Sequence, residues 1–532
     1  DDTDMYQNYA MFPMISDDPV SRLVIEGAAA LAEHAEAHTM EQGLNKKTTD
    51  PLHAYEEGVN HEALMTWWGY GDPVYFERSL AASRSMPALT VMTDIGHRHF
   101  KNQTLGAEDL RIDRELGIDG HAHPLMLHPL FEVLWYNRHP RIEQFLREWA
   151  DGWLEHQEPG AYATSVDVAT EEATQVYEDR PLYGGYGGQA SAFASMIQYA
   201  GETKYARPFM DQLAEGRATF RVADHLPEFY QAGLLDDLDD ETLRALEEKE
   251  PYLAVLRRGD RGPLVEALRN DIAHLQRFKY MYTEAEQFTD RIFLSSVNNA
   301  AKAYCGAYTT RNKYSHGLSA SWEGFGTDFA ALVLDAGDDR LKAAVYSFAD
   351  ESMEGGLRVW GLEHGRYRVA VGPDADGDDA LDRPVEALEM ELSRHSLVPL
   401  ALEPRQVTIV EIEQVETLEP IHDRPDLALS PLDTVVEDGA VRGVVHNIGR
   451  SPVASAVLAL VDADREVVAS ETLTDIPGIG GDLEPVRVDY ELAGVPEDAA
   501  GWRVIIDHAE TVDEICEGNN AVELSGGRSG EH

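Results

Sequence analysis

Asn60 and His61 stand side by side just ahead of the apolar run Ala63–Trp68. An amide beside an imidazole suits removal of a proton α to a carboxylate. That proton is weakly acidic, so fixed donors must meet the charge developing on the carboxylate, and the base must titrate near neutrality. The same two residues would equally serve as a helix cap and a polar first-turn residue. A second candidate is Tyr183-Gly184-Gly185-Tyr186-Gly187, where flanking glycines let the backbone approach a ligand and leave a phenol exposed. Tyr186 is the phenol such a loop would expose, and Tyr183, Arg180 upstream and Trp67 are candidate substrate contacts. The alternative is a glycine-rich turn with packing tyrosines. Trp67, Trp68, Trp135 and Tyr136 end apolar helices and are expected mainly in the core, with a sugar-stacking platform as the alternative for any one of them. Third, His121 and His123 lie two residues apart within Asp119–Pro124, on one side of an extended loop. Proton transfer, substrate contact, zinc ligation or structural hydrogen bonding all remain open for them. Fourth, Asp374, Asp376, Asp378 and Asp382 fall at positions 1, 3, 5 and 9 of an acidic loop bent by Gly377. Such a carboxylate set suits a hard cation, structural Ca²⁺ above all, against a merely solvated acidic turn.

These side chains need elements to position them. Residues 18–310 read mainly as helices, beginning with Pro19–His38, whose apolar residues recur at helical spacing after an acidic start. Three stretches share one layout: a polar lead, an apolar helix ending in aromatics, a tight turn and a second amphipathic helix. They are Ala63–Trp68 with Val74–Ala82, Leu130–Tyr136 with Arg141–Leu154, and Ala190–Tyr199 with Lys204–Ala214. Aligning the turns on Asp72, His139 and Glu202 gives spacings of 67 and 63 residues, the mark of stacked helix pairs. The long period predicts an incomplete α/α toroid over 1–317, its inner-helix starts converging on one cleft. From about Leu318 short β-branched strands predict a small antiparallel β-sandwich over 318–418. A Pro- and Asp-bearing linker over 419–432, a second sandwich over 433–525 and a tail over 526–532 follow.

Three resemblances bear on function. Asn60-His61 followed by Thr66-Trp67-Trp68 resembles the Asn-His motif of α/α-toroid polysaccharide lyases of the alginate and heparinase III-like group. The resemblance implies an amide that neutralises a uronate carboxylate and an imidazole that removes or relays the C5 proton. The loop around Tyr186 resembles that of hyaluronate and chondroitin lyases, implying an acid or base role for Tyr186. It departs from that pattern upstream, where Tyr177 stands in place of the expected His. The last 90 or so residues resemble CARDB-type modules, which are immunoglobulin-like, through Val445-His446-Asn447-Ile448-Gly449 and Glu517-Gly518-Asn519-Asn520-Ala521-Val522. That implies an extracellular accessory domain associated with a cell surface or matrix. Together these point to an extracellular lyase acting on a uronate polysaccharide. A glycoside hydrolase on the same scaffold, drawing on Glu56, Glu57, Glu62 or Asp119, and a non-catalytic carbohydrate-binding surface protein stand as alternatives.

Composition narrows the setting. The 532 residues carry a formal charge of −52, spread along the chain, and only 9 of the 44 basic residues are Lys. A hydrated acidic surface of this kind suits a high-salt organism, where charges are screened over a few ångströms. With no basic stripe, a nucleic-acid backbone would be repelled, so nucleic acid is not an expected partner. No apolar run is long enough to span a membrane. The chain opens on Asp1-Asp2-Thr3-Asp4 without Met, as expected if a secretion signal or an N-terminal portion has been removed. Cys305 and Cys516 fall in different regions, which excludes a disulfide framework; two buried thiols are expected, with an interdomain bridge as the alternative.

Overall fold

The computed structural model describes residues 11–61, 65–112, 114–158, 161–178, 188–278, 298–307, 317–382 and 387–524. Helices dominate the first part and antiparallel sheets the second. After α1 (Pro19–His38) come the paired helices anticipated from the turns: α2 (Met65–Trp68) with α3 (Pro73–Leu89), α4 (His128–Asn137) with α5 (Pro140–Glu155), and α6 (Gln189–Ala200) with α7 (Arg207–Leu213). The turn residues act as caps. Asp72 accepts from the Val74 amide ahead of Pro73, and His139 Nδ1 accepts from the Arg141 amide ahead of Pro140. Pro at the first helical position has no amide to leave unpaired, which fixes both starts. Glu202 supplies no such cap, and a 3₁₀ turn, Thr203–Ala206, precedes α7. All ten residues of α4 are buried, so it lies inside the helical layer, whereas α5 buries one face against it.

Strands also occur in this helical region, which periodicity did not anticipate. β1 (Thr90–Met92) pairs with β2 (Arg98–Phe100). A second sheet joins β3 (Ile118–Gly120), β4 (Gln157–Glu158), β5 (Ala161–Asp167) and β6 (Glu172–Glu178), with β5 at its centre. Residues 162–166 are buried on both faces, so no polar alternation marks β5 as a strand.

In the first β region the strands are β7 (Ala320–Glu323), β8 (Phe329–Ala336), β9 (Arg340–Ser347), β10 (Met353–Val359), β11 (Gly365–Pro373), β12 (Leu388–Leu392), β13 (Leu397–Leu402) and β14 (Val407–Thr417). They form antiparallel sheets in the orders β8-β9-β14-β11-β12 and β13-β10-β7, and both contribute to one core around Trp322, Val345, Tyr367 and Ile412. The second β region holds β15 (Leu427–Ala428), β16 (Val435–Glu437), β17 (Ala440–Asn447), β18 (Val453–Val461), β19 (Val467–Ile476), β20 (Arg487–Ala493), β21 (Arg503–Ile505) and β22 (Ala521–Glu523). There β17 pairs with β15, β16 and β20, and the other sheet runs β19-β18-β21-β22.

The segment expected as a linker, 419–432, carries the 3₁₀ turn Ile421–Asp423 and β15, and 426–430 is buried throughout. It is held against the helices. Tyr136 donates to Asp426 Oδ2 at 2.5 Å, and Asn519 Nδ2 donates to Asp426 Oδ1 and to the Gly71 carbonyl. Gly71 has φ +85°, and a Cβ there would stand 2.9 Å from Asn519 Nδ2, so both backbone and packing call for glycine. From α3, Glu77 meets His446 Nδ1 at 2.6 Å and accepts from Arg487 Nε at 2.7 Å, while His446 Nε2 lies 2.8 Å from Asp433. Ile448, Ile479, Leu483, Ile515 and Cys516 enter the same core as the helices. Residues quoted for the accessory-module resemblance, His446 and Asn519 among them, thus dock the last region onto the helical one. Both cysteine thiols are buried and free, and burial pushes that of Cys516 up to about 12.

Candidate functional site

Asn60 and His61 sit in a 3₁₀ turn, Val59–His61, that packs against α1 and α4, and both are buried. Just upstream the short helix Pro51–Glu56 leans on the 3₁₀ turn His123–Leu127 that leads into α4. Tyr55 brings its ring to 6.2 Å from that of His128, the first residue of α4. One turn along, Glu132 Oε1 lies 3.7 Å from His128 Nε2, and Thr66 of α2 donates to Glu132 Oε2. Asn60, His61, Thr66, His128 and Glu132 are therefore five buried polar side chains at or near the starts of α2 and α4. Glu132 was missed in the sequence, yet it left a signal: it is the single charged residue in the run Leu130–Tyr136.

Trp67 does not offer a sugar platform. It is buried, stacked at 5.2 Å on Trp135 and at 5.3 Å on Trp360, so its ring is taken up in an aromatic column. Trp135 and Trp360 line a cavity of about 310 Å³ between the helical region and the first β region, with Arg138, Tyr199, Arg394 and His422. Arg138 ends α4 in the left-handed conformation and donates to the Tyr199 carbonyl. Its Nε is buried without a hydrogen-bond partner. Arg394 lies over the Trp135 ring at 4.5 Å and donates to the Trp135 carbonyl. Burial, with Arg138, Arg394 and Arg450 nearby, pushes the His422 imidazole down to about 4, and burial with Arg394 lowers the Arg138 guanidinium itself. Glu228 lines the same cavity, and Asp338 and Glu363 are exposed at its rim. Two guanidiniums at one cavity, in a chain of charge −52, make a place where an acidic group could be held by charge. Trp135, stacked on Trp67 with Arg394 over its ring, and Trp360, stacked on Trp67, are by contrast buried like the rest of the column. None of Arg138, Trp360, Arg394 or His422 belongs to a local motif, and only tertiary packing brings them together.

The paired histidines part company. His121 is exposed, and desolvation of its ring with His123 nearby holds it below the usual imidazole range. His123 is buried under Phe100, with Nε2 2.8 Å from the Asn102 carbonyl and Nδ1 2.7 Å from both the Gly120 amide and Asp119. Both ring nitrogens are spent on holding the loop, which leaves a structural role. Asp119 is equally committed. Its Oδ2 accepts from the Phe100 amide and Trp153 Nε1 and lies 3.0 Å from His99 Nδ1. Burial pushes the Asp119 carboxyl up, but the hydrogen bonds from His123 and His99 outweigh it and hold it below the usual value. Arg180, Tyr183 and Tyr186 lie outside the described residues.

In the acidic loop Asp374, Asp376 and Asp378 each place a carboxylate oxygen within 4.8 Å of the others. Asp374 already accepts from the amides of Gly377, Asp378 and Asp379, and Asp382 from that of Ala375. Asp378 beside it holds the Asp376 carboxyl above its usual range, the repulsion that a cation would relieve.

No family model matches the chain, and no curated protein matches it. Among solved structures, β-glucuronidase from Ruminococcus gnavus in complex with uronic isofagomine aligns with a TM-score of 0.13 at 9% identity, over 33% of this chain and 34% of that one. The apo form of that enzyme gives 0.12 at 9% identity over 32% and 33%, and its complex with uronic deoxynojirimycin 0.13 at 10% over 35% and 34%. The chain spans about a third of those enzymes, a likeness too slight to define the fold.

Proposed function

We propose that this chain is an extracellular, salt-adapted lyase that cleaves a uronate-bearing polysaccharide by β-elimination. The helical region would be an α/α-toroid-like catalytic body. The last region would be an immunoglobulin-like, CARDB-type accessory module, and Ca²⁺ in the Asp374 loop would be structural. The observation that carries the reading is the cluster of buried Asn60, His61, Thr66, His128 and Glu132 at or near the starts of α2 and α4. The cavity lined by Arg138, Arg394, Trp135 and Trp360 opens at the other end of α4, and none of those five residues lines it.

In the elimination a base takes the C5 proton, its electron pair forms the C4–C5 double bond, and the C4–O4 bond breaks. An acid protonates the leaving O4, and no water is consumed. Asn60 would face the carboxylate as a fixed donor, with His61 as base or relay and Tyr186 as acid. His121 is exposed and could still touch substrate, whereas His123 holds the loop.

Mass spectrometry of digests of uronate polysaccharides in molar salt tests the reaction type. Products one water lighter than hydrolysed fragments support elimination. Fully hydrated fragments would make the protein a hydrolase, and retention of polymer without fragments would make it a binding protein.

A further inference from the structure

We infer that His97, His99, His156 and Glu171 form a buried binding site for a divalent transition-metal ion, zinc by donor preference, where β2, the end of α5 and the β5–β6 turn meet. Each residue offers one ligand atom, and all four atoms lie within 4.8 Å of one another. The three imidazole centroids make a nearly equilateral triangle of 6.2, 6.0 and 5.9 Å. Bonds of about 2.0–2.1 Å from each nitrogen to one ion would draw the rings together by less than about 1 Å.

Hydrogen bonding among the four does not account for the arrangement. His97 has carboxylate neighbours, Glu171 at 2.8 Å from Nδ1 and exposed Glu155 at 3.3 Å from Nε2. His99 Nε2, His156 Nε2 and Glu171 Oε1 are all buried with no hydrogen-bond partner. Three such atoms in one cluster demand an explanation, and a cation supplies one. His99 is held as metal-bound histidines usually are, with Nδ1 on the buried Asp119 carboxylate and its other nitrogen left for the ion. The backbone is shaped to the same end. Gly152 lies inside α5, where glycine costs about 1 kcal/mol relative to Ala. A Cβ there would come within 2.9 Å of the His97 Cβ, so the glycine makes room for the ring. Glu171 takes a positive φ of 56° at the hairpin turn, an uncommon conformation for a residue with a side chain.

Three imidazoles and one carboxylate match zinc, and a closed set of four protein ligands is that of a structural site. The ion would tie β2, α5 and the β5–β6 hairpin together, without entering the sugar chemistry. His97 immediately precedes β2 and His99 lies within it, two residues apart, a signal present in the sequence. His156 and Glu171 come from 57 or more residues further on, so the set closes only in the fold.

The test is metal content of the full-length, untagged protein in molar salt, by plasma mass spectrometry after passage over a chelating resin. About one zinc per chain is expected. His99→Gln and His156→Gln should each lower it at least tenfold, while Asp376→Asn, in the acidic loop, should leave it unchanged. Should the His variants fail to fold, stripped wild-type protein titrated with Co²⁺ alone decides. A visible band of tetrahedral cobalt saturating at about one equivalent supports the site. No saturable uptake of zinc or cobalt by wild type overturns it, as does uptake undiminished in folded His99→Gln.

Discussion

Replacing Glu77 by Gln probes the joint between the helices and the last β region. Glu77 is buried in α3 and meets His446 at 2.6 Å and Arg487 at 2.7 Å. Burial alone would lower the His446 imidazole, but hydrogen bonds to Asp433 and Glu77 outweigh it and push it up to about 9. A histidine raised in the folded state gives stability that is fully present below its unfolded value of about 6.5 and is lost as pH rises through the folded one. At 1.36 kcal/mol per unit the loss between about pH 6 and pH 10 is at most about 3 kcal/mol. Glu77→Gln keeps the shape and removes the charge. At about pH 6 it should cost about 3 kcal/mol, the scale of breaking a buried pair, and should flatten the slope above. Asp433 still faces His446, so part of the slope persists. Asp426 and Glu514, raised mainly by burial to about 7 and about 9, also lose stability as pH rises. The informative quantity is therefore the difference in slope between wild type and variant. Urea unfolding in molar KCl at several pH values measures it. A variant with wild-type midpoints, or with the wild-type slope intact, would refute the reasoning.

Lowering salt from about 1 M to about 0.01 M lengthens the screening distance from about 3 Å to about 30 Å, so the −52 chain should lose thermal stability steeply. An unchanged melting temperature removes the case for salt adaptation. Gly71→Ala should destabilise by about 1–2 kcal/mol, because φ is +85° and the new methyl meets Asn519, and calorimetry reads this as a lowered Tm. Chelation with EGTA, which prefers Ca²⁺, should lower the Tm of wild type but not of Asp376→Ala, and equal responses would remove the calcium loop.

The helical hairpins were legible because their turns carry caps followed by proline, Asp72-Pro73 and His139-Pro140, between apolar runs. Strands such as β8, β9, β11 and β14 showed as β-branched runs broken by Gly, Asp and Pro. β12 and β20 were missed because their exposed faces are charged, in Leu388-Glu389-Met390-Glu391-Leu392 and Arg487-Val488-Asp489-Tyr490-Glu491. β5 was missed for the opposite reason, being buried on both faces. Of the candidate site, Asn60 and His61 could be named from their spacing. His123 could not be told from a ligand or a base, because only the fold brings Asn102 and Phe100 against it. Arg138 with Arg394, and His99 with His156, are pairs that long-range packing alone creates.

The most direct test of the proposed chemistry is the short-wavelength ultraviolet absorbance of a C4–C5 unsaturated uronate, followed continuously on uronate polysaccharides in molar salt. Wild type should generate the chromophore on one class of polymer. Asn60→Ala and His61→Gln, with circular dichroism unchanged, should slow it by about 10²-fold or more, the scale of losing a fixed donor or a general base. No chromophore from wild type on any of the polymers, or folded variants that turn over as fast as wild type, would contradict it.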